Sequence, residues 1–126
     1  MRLLLFAAAG GAIGAGARHL VNIGFGRALG VGFPWSTLFV NVLGSLLMGV
    51  LIEILALRLN VSPEVRTLLV TGVLGGFTTF SAFSLDFAVL IERGETLSAL
   101  VYALGSFAAS IGALFIGLSL VRAILT

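Results

Sequence analysis

The sequence predicts an all-α membrane protein of four spans in one domain, residues 1–126, and three observations predict it. The chain is 60% hydrophobic with a mean hydropathy of +1.23. Charged residues make up only 10% of it, where a soluble domain carries roughly 25% and needs them to cover its surface. The apolar residues fall into four runs, about 3–21, 35–57, 65–91 and 97–122, each near the roughly 20 residues that cross about 30 Å of hydrocarbon.

The first run follows Arg2, as a signal peptide would, but the chain stays apolar to its end, so this run belongs to the protein. Its G-A-I-G-A-G at 11–16 has the wrong glycine order for a dinucleotide site, and no strand precedes it. Close helix packing through small residues is the better reading. A connector at 22–34 carries Asn22, Gly24, Gly26, Arg27, Gly30, Gly32 and Pro34. The second span places Thr37, Asn41 and Ser45 at four-residue spacing on one helical face, with Glu53 near its end, where the carboxylate is expected to snorkel to the interface. In the connector 58–64, Ser62-Pro63-Glu64 reads as a helix start: a serine cap, proline in the first turn and an acid at the positive dipole end.

The third span is the unusual one. Gly72, Gly75 and Gly76 precede Thr78, Thr79, Ser81 and Ser84, with Phe77, Phe80, Phe83 and Phe87 threaded through them. Each glycine costs a helix interior about 1 kcal/mol relative to alanine, so a break is expected mid-span. Broken backbone at that depth survives only where protein or an ion site satisfies it. Phe77 and Phe87 read as apolar bulk. Phe80 and Phe83 share a face with Ser81 and Ser84 beside it; ring edges suit a small anion and ring faces a cation, so chemistry alone leaves the sign of the ion open. After the connector 92–96, the fourth span aligns Tyr102, Ser106 and Ser110 next to Gly105, Ala109 and Ala113. Such stripes either glue helices together or line a pathway.

Charge excludes several classes and raises one architecture. All seven basic residues are arginines, scattered with no basic stripe, so nucleic-acid binding has no support. There is no cysteine and a single histidine, His19, which removes disulfides and multi-histidine metal sites. With both termini on one side, Arg2, Arg58, Arg66 and Arg122 face Arg18, Arg27 and Arg93 across the membrane. Four against three is nearly no bias under the positive-inside rule. Such a chain inserts in both orientations, and two opposite copies can pair as an antiparallel homodimer. Four slender helices leave no room for a pore of their own, which is a further reason to expect the second copy.

Three segments, GGAIGAGARH at 10–19, STLFVNVLGSLLMG at 36–49 and GVLGGFTTFSAFSLD at 72–86, make the chain resemble the Fluc (CrcB) family of fluoride channels over nearly its whole length. The resemblance implies an antiparallel, dual-topology dimer in the inner (plasma) membrane. It implies two fluoride pathways and a structural sodium ion at the dimer centre. It implies that Asn41 donates to fluoride and that Phe80 and Phe83 turn ring edges to it. Thr37, Thr79, Ser81, Ser84, Tyr102, Ser106 and Ser110 would line the polar parts of the route, and Arg18 a vestibule. The backbone carbonyls of Gly75 and Thr78 from each copy would hold Na⁺. Two residues depart from the pattern: Ala82 stands where many members have threonine, and His19 where an aromatic commonly follows the arginine. Both are expected to alter rates before they abolish function.

The function implied is passive export of cytoplasmic fluoride, not enzymatic, and no nucleotide-hydrolysis motif is present. Asp86 and Glu53 are the only acids within spans, and neither is placed to couple protons; Asp86 is expected to cap, to pair with an arginine or to shape an exit. Two rivals remain. A small dual-topology, proton-coupled cation exporter wants a mid-span carboxylate, which the first span lacks. In a membrane assembly subunit without transport, the polar stripes would bind only a partner.

Overall fold

The computed structural model describes residues 1–126 and is entirely helical. Its four helices are long and apolar enough to cross a membrane: α1 (Arg2–Leu29), α2 (Trp35–Leu57), α3 (Pro63–Glu92) and α4 (Thr96–Leu125). The chain is a multi-pass membrane protein. Only 17 of its 126 residues are buried, and many of its large apolar side chains are exposed, as lipid permits and water would not.

The first helix outruns the expected 3–21 and continues through Asn22, Gly24 and Arg27 to Leu29. Weak helix formers are overridden here because the backbone must keep its bonds, and because Phe25 packs on Phe39 of α2 with ring centroids 5.2 Å apart. Gly30 then takes φ 75, a left-handed conformation open to glycine, and stops the helix. The helix start at Ser62 forms as expected, its hydroxyl accepting from the Val65 N–H at 3.2 Å. Between α3 and α4, Glu95 N–H bonds the Leu90 carbonyl and Gly94 N–H bonds that of Ile91, with Gly94 at φ 77. This is the paired Schellman closure, and it makes a tight hairpin.

The third span is broken, but not by its glycines. Gly75 and Gly76 are helical, in the short turn Gly75–Phe77. The break is Thr78 and Thr79, both extended (φ −84, ψ 159 and φ −154, ψ 124). Before it, Thr67–Leu74 winds as a π-helix, for which the local sequence holds no signal. The glycines serve close approach instead. A Cβ on Gly72 would stand 2.7 Å from Gly10 Cα, and one on Gly76 2.7 Å from the Gly11 carbonyl oxygen. So α1 and the first half of α3 pack backbone against backbone, while Gly49 and Gly117 do the same for α2 and α4. Gly76→Ala is therefore expected to destabilise the fold by about 1–3 kcal/mol, whereas Gly16→Ala, with no atom within 4 Å of the new methyl, changes little. Unfolding titrations in mixed micelles check the difference.

Glu53 also departs from expectation. It does not snorkel outward; it is buried at 9% exposure and accepts from Arg122 Nε of α4. The pair ties α2 to α4 near the terminal end of the bundle. The second half of α3, Phe80–Glu92, joins α4 through a core of Phe83, Leu90, Ala99 and Tyr102. Phe77 is buried and Phe87 packs on that core, so both are bulk, as expected.

Candidate functional site

The break needs partners for its backbone, and the first two helices provide them. Asn41 sits opposite Thr79 and closes a two-way clamp: its Oδ1 accepts the Thr79 N–H at 2.7 Å, and its Nδ2 donates to the Thr79 carbonyl at 2.9 Å. A side-chain amide here imitates a paired strand, which is why an asparagine fits and an apolar residue would not. One N–H of Nδ2 is left over. Arg18 reaches from α1, its Nε donating to the Gly76 carbonyl at 3.1 Å. Thr79 Oγ1 caps the second half-helix by accepting from Ala82 N–H at 3.1 Å.

These bonds divert two donors. In an unbroken helix the Thr79 N–H would bond the Gly75 carbonyl, and the Ala82 N–H that of Thr78. Here the first goes to Asn41 and the second to the Thr79 hydroxyl. The two carbonyls singled out in the sequence are thus among those at the break that lose their helical donors.

On one side of the clamp lies a groove of about 220 Å³ lined by Asn41, Thr78, Thr79, Phe80, Phe83, Ser106, Phe107, Ser110 and Ile111. The structure thus brings together Asn41, Thr79, both phenylalanines and both α4 serines. The Ser106 and Ser110 hydroxyls are buried and have no hydrogen-bond partner in the chain. Phe83 packs edge-on to Phe107 at 5.6 Å and 74°, and the Phe80 and Phe83 centroids are 5.5 Å apart. Phe83 is 7% exposed but Phe80 is 68% exposed, so the groove is open along one side.

A second, polar cavity of about 230 Å³ is lined by Arg18, His19, Asn22, Ser36, Thr37, Val40, Thr79, Ala82 and Asp86. Thr79 borders both spaces. Thr37 belongs here and not to the groove. Tyr102, fully buried, donates its hydroxyl to Asp86 Oδ2 at 3.0 Å. Asp86 therefore takes a tyrosine as its partner, and not an arginine. Ser81 and Ser84 line neither space; they are exposed, Ser81 facing the Thr79 hydroxyl at 3.3 Å and Ser84 donating to the Phe80 carbonyl at 3.0 Å.

Phe107 and Ile111 were not singled out in the sequence, although each directly follows a singled-out serine. Asn22 lies in the segment that the sequence marks as a connector, and Ser36 at the start of the second span, outside its polar stripe. The Asp86–Tyr102 bond joins residues 16 apart across the hairpin, which no local pattern announces.

A family model described as CrcB-like protein, Camphor Resistance (CrcB), matches residues 5–118. A relative from Chelativorans sp., named fluoride-specific ion channel FluC, is 62% identical over 122 residues, covering 97% of this chain and 98% of the relative. Another of that name from Nitrobacter winogradskyi is 54% identical, covering 96% of each. One from Rhodospirillum centenum is 52% identical, covering 97% of each.

Proposed function

The chain belongs to the CrcB-like family, and on that premise we propose that it is a passive, fluoride-selective channel in the inner (plasma) membrane that releases cytoplasmic fluoride. The observation that carries the reading is the groove. It offers two buried hydroxyls without partners, one spare amide N–H and two phenylalanine rings, all within one space. A small anion leaves water only if donors replace its shell. Hydroxyls, an amide N–H and positive ring edges are such donors, and none carries a full charge that would trap the ion.

The open side of the groove supports the remaining architecture. Phe80 and Phe107, both more than half exposed, would be covered by a second copy. The near-even arginine count supports an antiparallel dimer with two pathways. The Gly75 and Thr78 carbonyls fit a sodium ion, since hard cations take oxygen ligands and these two have lost their helical donors. Bound between two copies, such an ion would supply a positive charge to the anion pathways.

Hydrogen fluoride crosses membranes as the neutral acid and ionises in a less acidic cytoplasm. A channel then lets the anion run outward, helped by the inside-negative potential. A fluoride-selective electrode beside fluoride-loaded proteoliposomes tests this. Rapid efflux once an ionophore balances charge, with chloride retained, is the expected result. No efflux from verified dimers overturns it, and efflux coupled to protons or organic cations points to an exporter.

A further inference from the structure

His19 is the residue the groove does not use. It lies on α1 beside Arg18, exposed, and lines the polar cavity that Thr79 also borders. Thr79 lines both that cavity and the groove, and the fluoride-channel reading makes the cavity the pathway's mouth. We propose that His19 sets how strongly this mouth draws fluoride, so that the channel passes the anion faster once the imidazole takes a proton. The inference rests on the fluoride-channel reading.

The charge balance of the mouth carries the argument. From α1 come Arg18 and His19; from α2, Ser36, Thr37 and Val40, none charged; from α3, Thr79, Ala82 and Asp86. Tyr102 of α4 reaches the cavity only as the donor to Asp86. Arg93 lines the adjoining space together with Asp86 and Asn22, and its own partners are the Gly32 carbonyl and Glu95. Within the mouth, then, Arg18 and Asp86 cancel. The state of His19 decides whether an approaching anion meets zero net charge or one positive charge. Histidine is the side chain whose ordinary titration falls in the physiological range. A unit charge about 6 Å from the ion, in water, changes its local concentration about threefold. Asp86 repels the anion that a charged His19 would attract, so the two residues act in opposite senses on fluoride.

Currents in planar bilayers, with equal fluoride and equal pH on both sides, test this, because hydrogen fluoride crosses uncharged and carries none. Between about pH 8 and pH 5.5 the native current is expected to rise about threefold. His19→Gln stays flat at the alkaline level. His19→Lys stays flat at the acid level, and reads the same quantity should the glutamine variant fail to assemble. A native pH profile retained in His19→Gln overturns the inference alone. Absence of fluoride current in the native protein at every pH overturns the channel reading with it.

Discussion

Asn41→Leu is expected to cut fluoride flux by about a hundredfold or more and to weaken the fold at the same time. The leucine leaves the Thr79 N–H and carbonyl both unpaired in an apolar setting, at about 1–3 kcal/mol each. It also removes the second Nδ2 N–H from a residue that lines the groove. About 2.7 kcal/mol on the barrier of a permeating ion is already a hundredfold in rate. Asn41→Asp separates the two roles. The acid still accepts the Thr79 N–H but has lost its donor to the Thr79 carbonyl, and it sets a negative charge in the anion's path. Flux should stop at neutral pH while the unfolding midpoint falls less than in the leucine variant. Electrode efflux and unfolding titrations on the same preparations read both quantities. Native throughput in Asn41→Leu would remove the clamp from the mechanism.

Phe80→Ile and Phe83→Ile are expected to slow flux about tenfold or more each, since isoleucine keeps apolar bulk but has no positive ring edge. The two should differ in stability. Phe80 is 68% exposed and Phe83 only 7%, and Phe83 meets Phe107 edge-on. Phe80→Ile should therefore cost less than Phe83→Ile, which loses about 1–2 kcal/mol from reshaped packing around a buried ring and its aromatic pairs. A dimer that elutes normally but conducts at a tenth of the rate or less is the signature for Phe80. Native rates in both variants would refute the ring-edge role.

The sequence disclosed what local composition controls. Four apolar runs gave four spans, and Ser62-Pro63-Glu64 gave a helix start that forms as read. The end of α1 was misplaced, because Asn22, Gly24 and Arg27 look like a loop until Phe25 is seen packing on Phe39. A break in the third span was legible, but its residues were not. The glycines that seemed to cause it are helical and face α1, while two threonines carry it. Glu53 illustrates the same limit: its inward turn depends on Arg122, 69 residues away. Asn41, Phe80, Phe83, Ser106 and Ser110 stood out as polar or aromatic residues inside spans, and they share one groove. What joins Asn41 to them is its bond to a backbone 38 residues on, which side-chain patterns do not encode.

The groups that close the break also have an order in time. Arg18 belongs to α1 and Asn41 to α2, so both are synthesised before Thr79. The glycines that receive the first half of α3, Gly10 and Gly14, precede it as well. When the third span enters the bilayer, every side chain that satisfies its broken backbone is already there. The Thr79 backbone can be paired as the span inserts, with no interval spent waiting for α4. Moving α3 ahead of α2 by circular permutation would keep the finished contacts and lose that sequence of events.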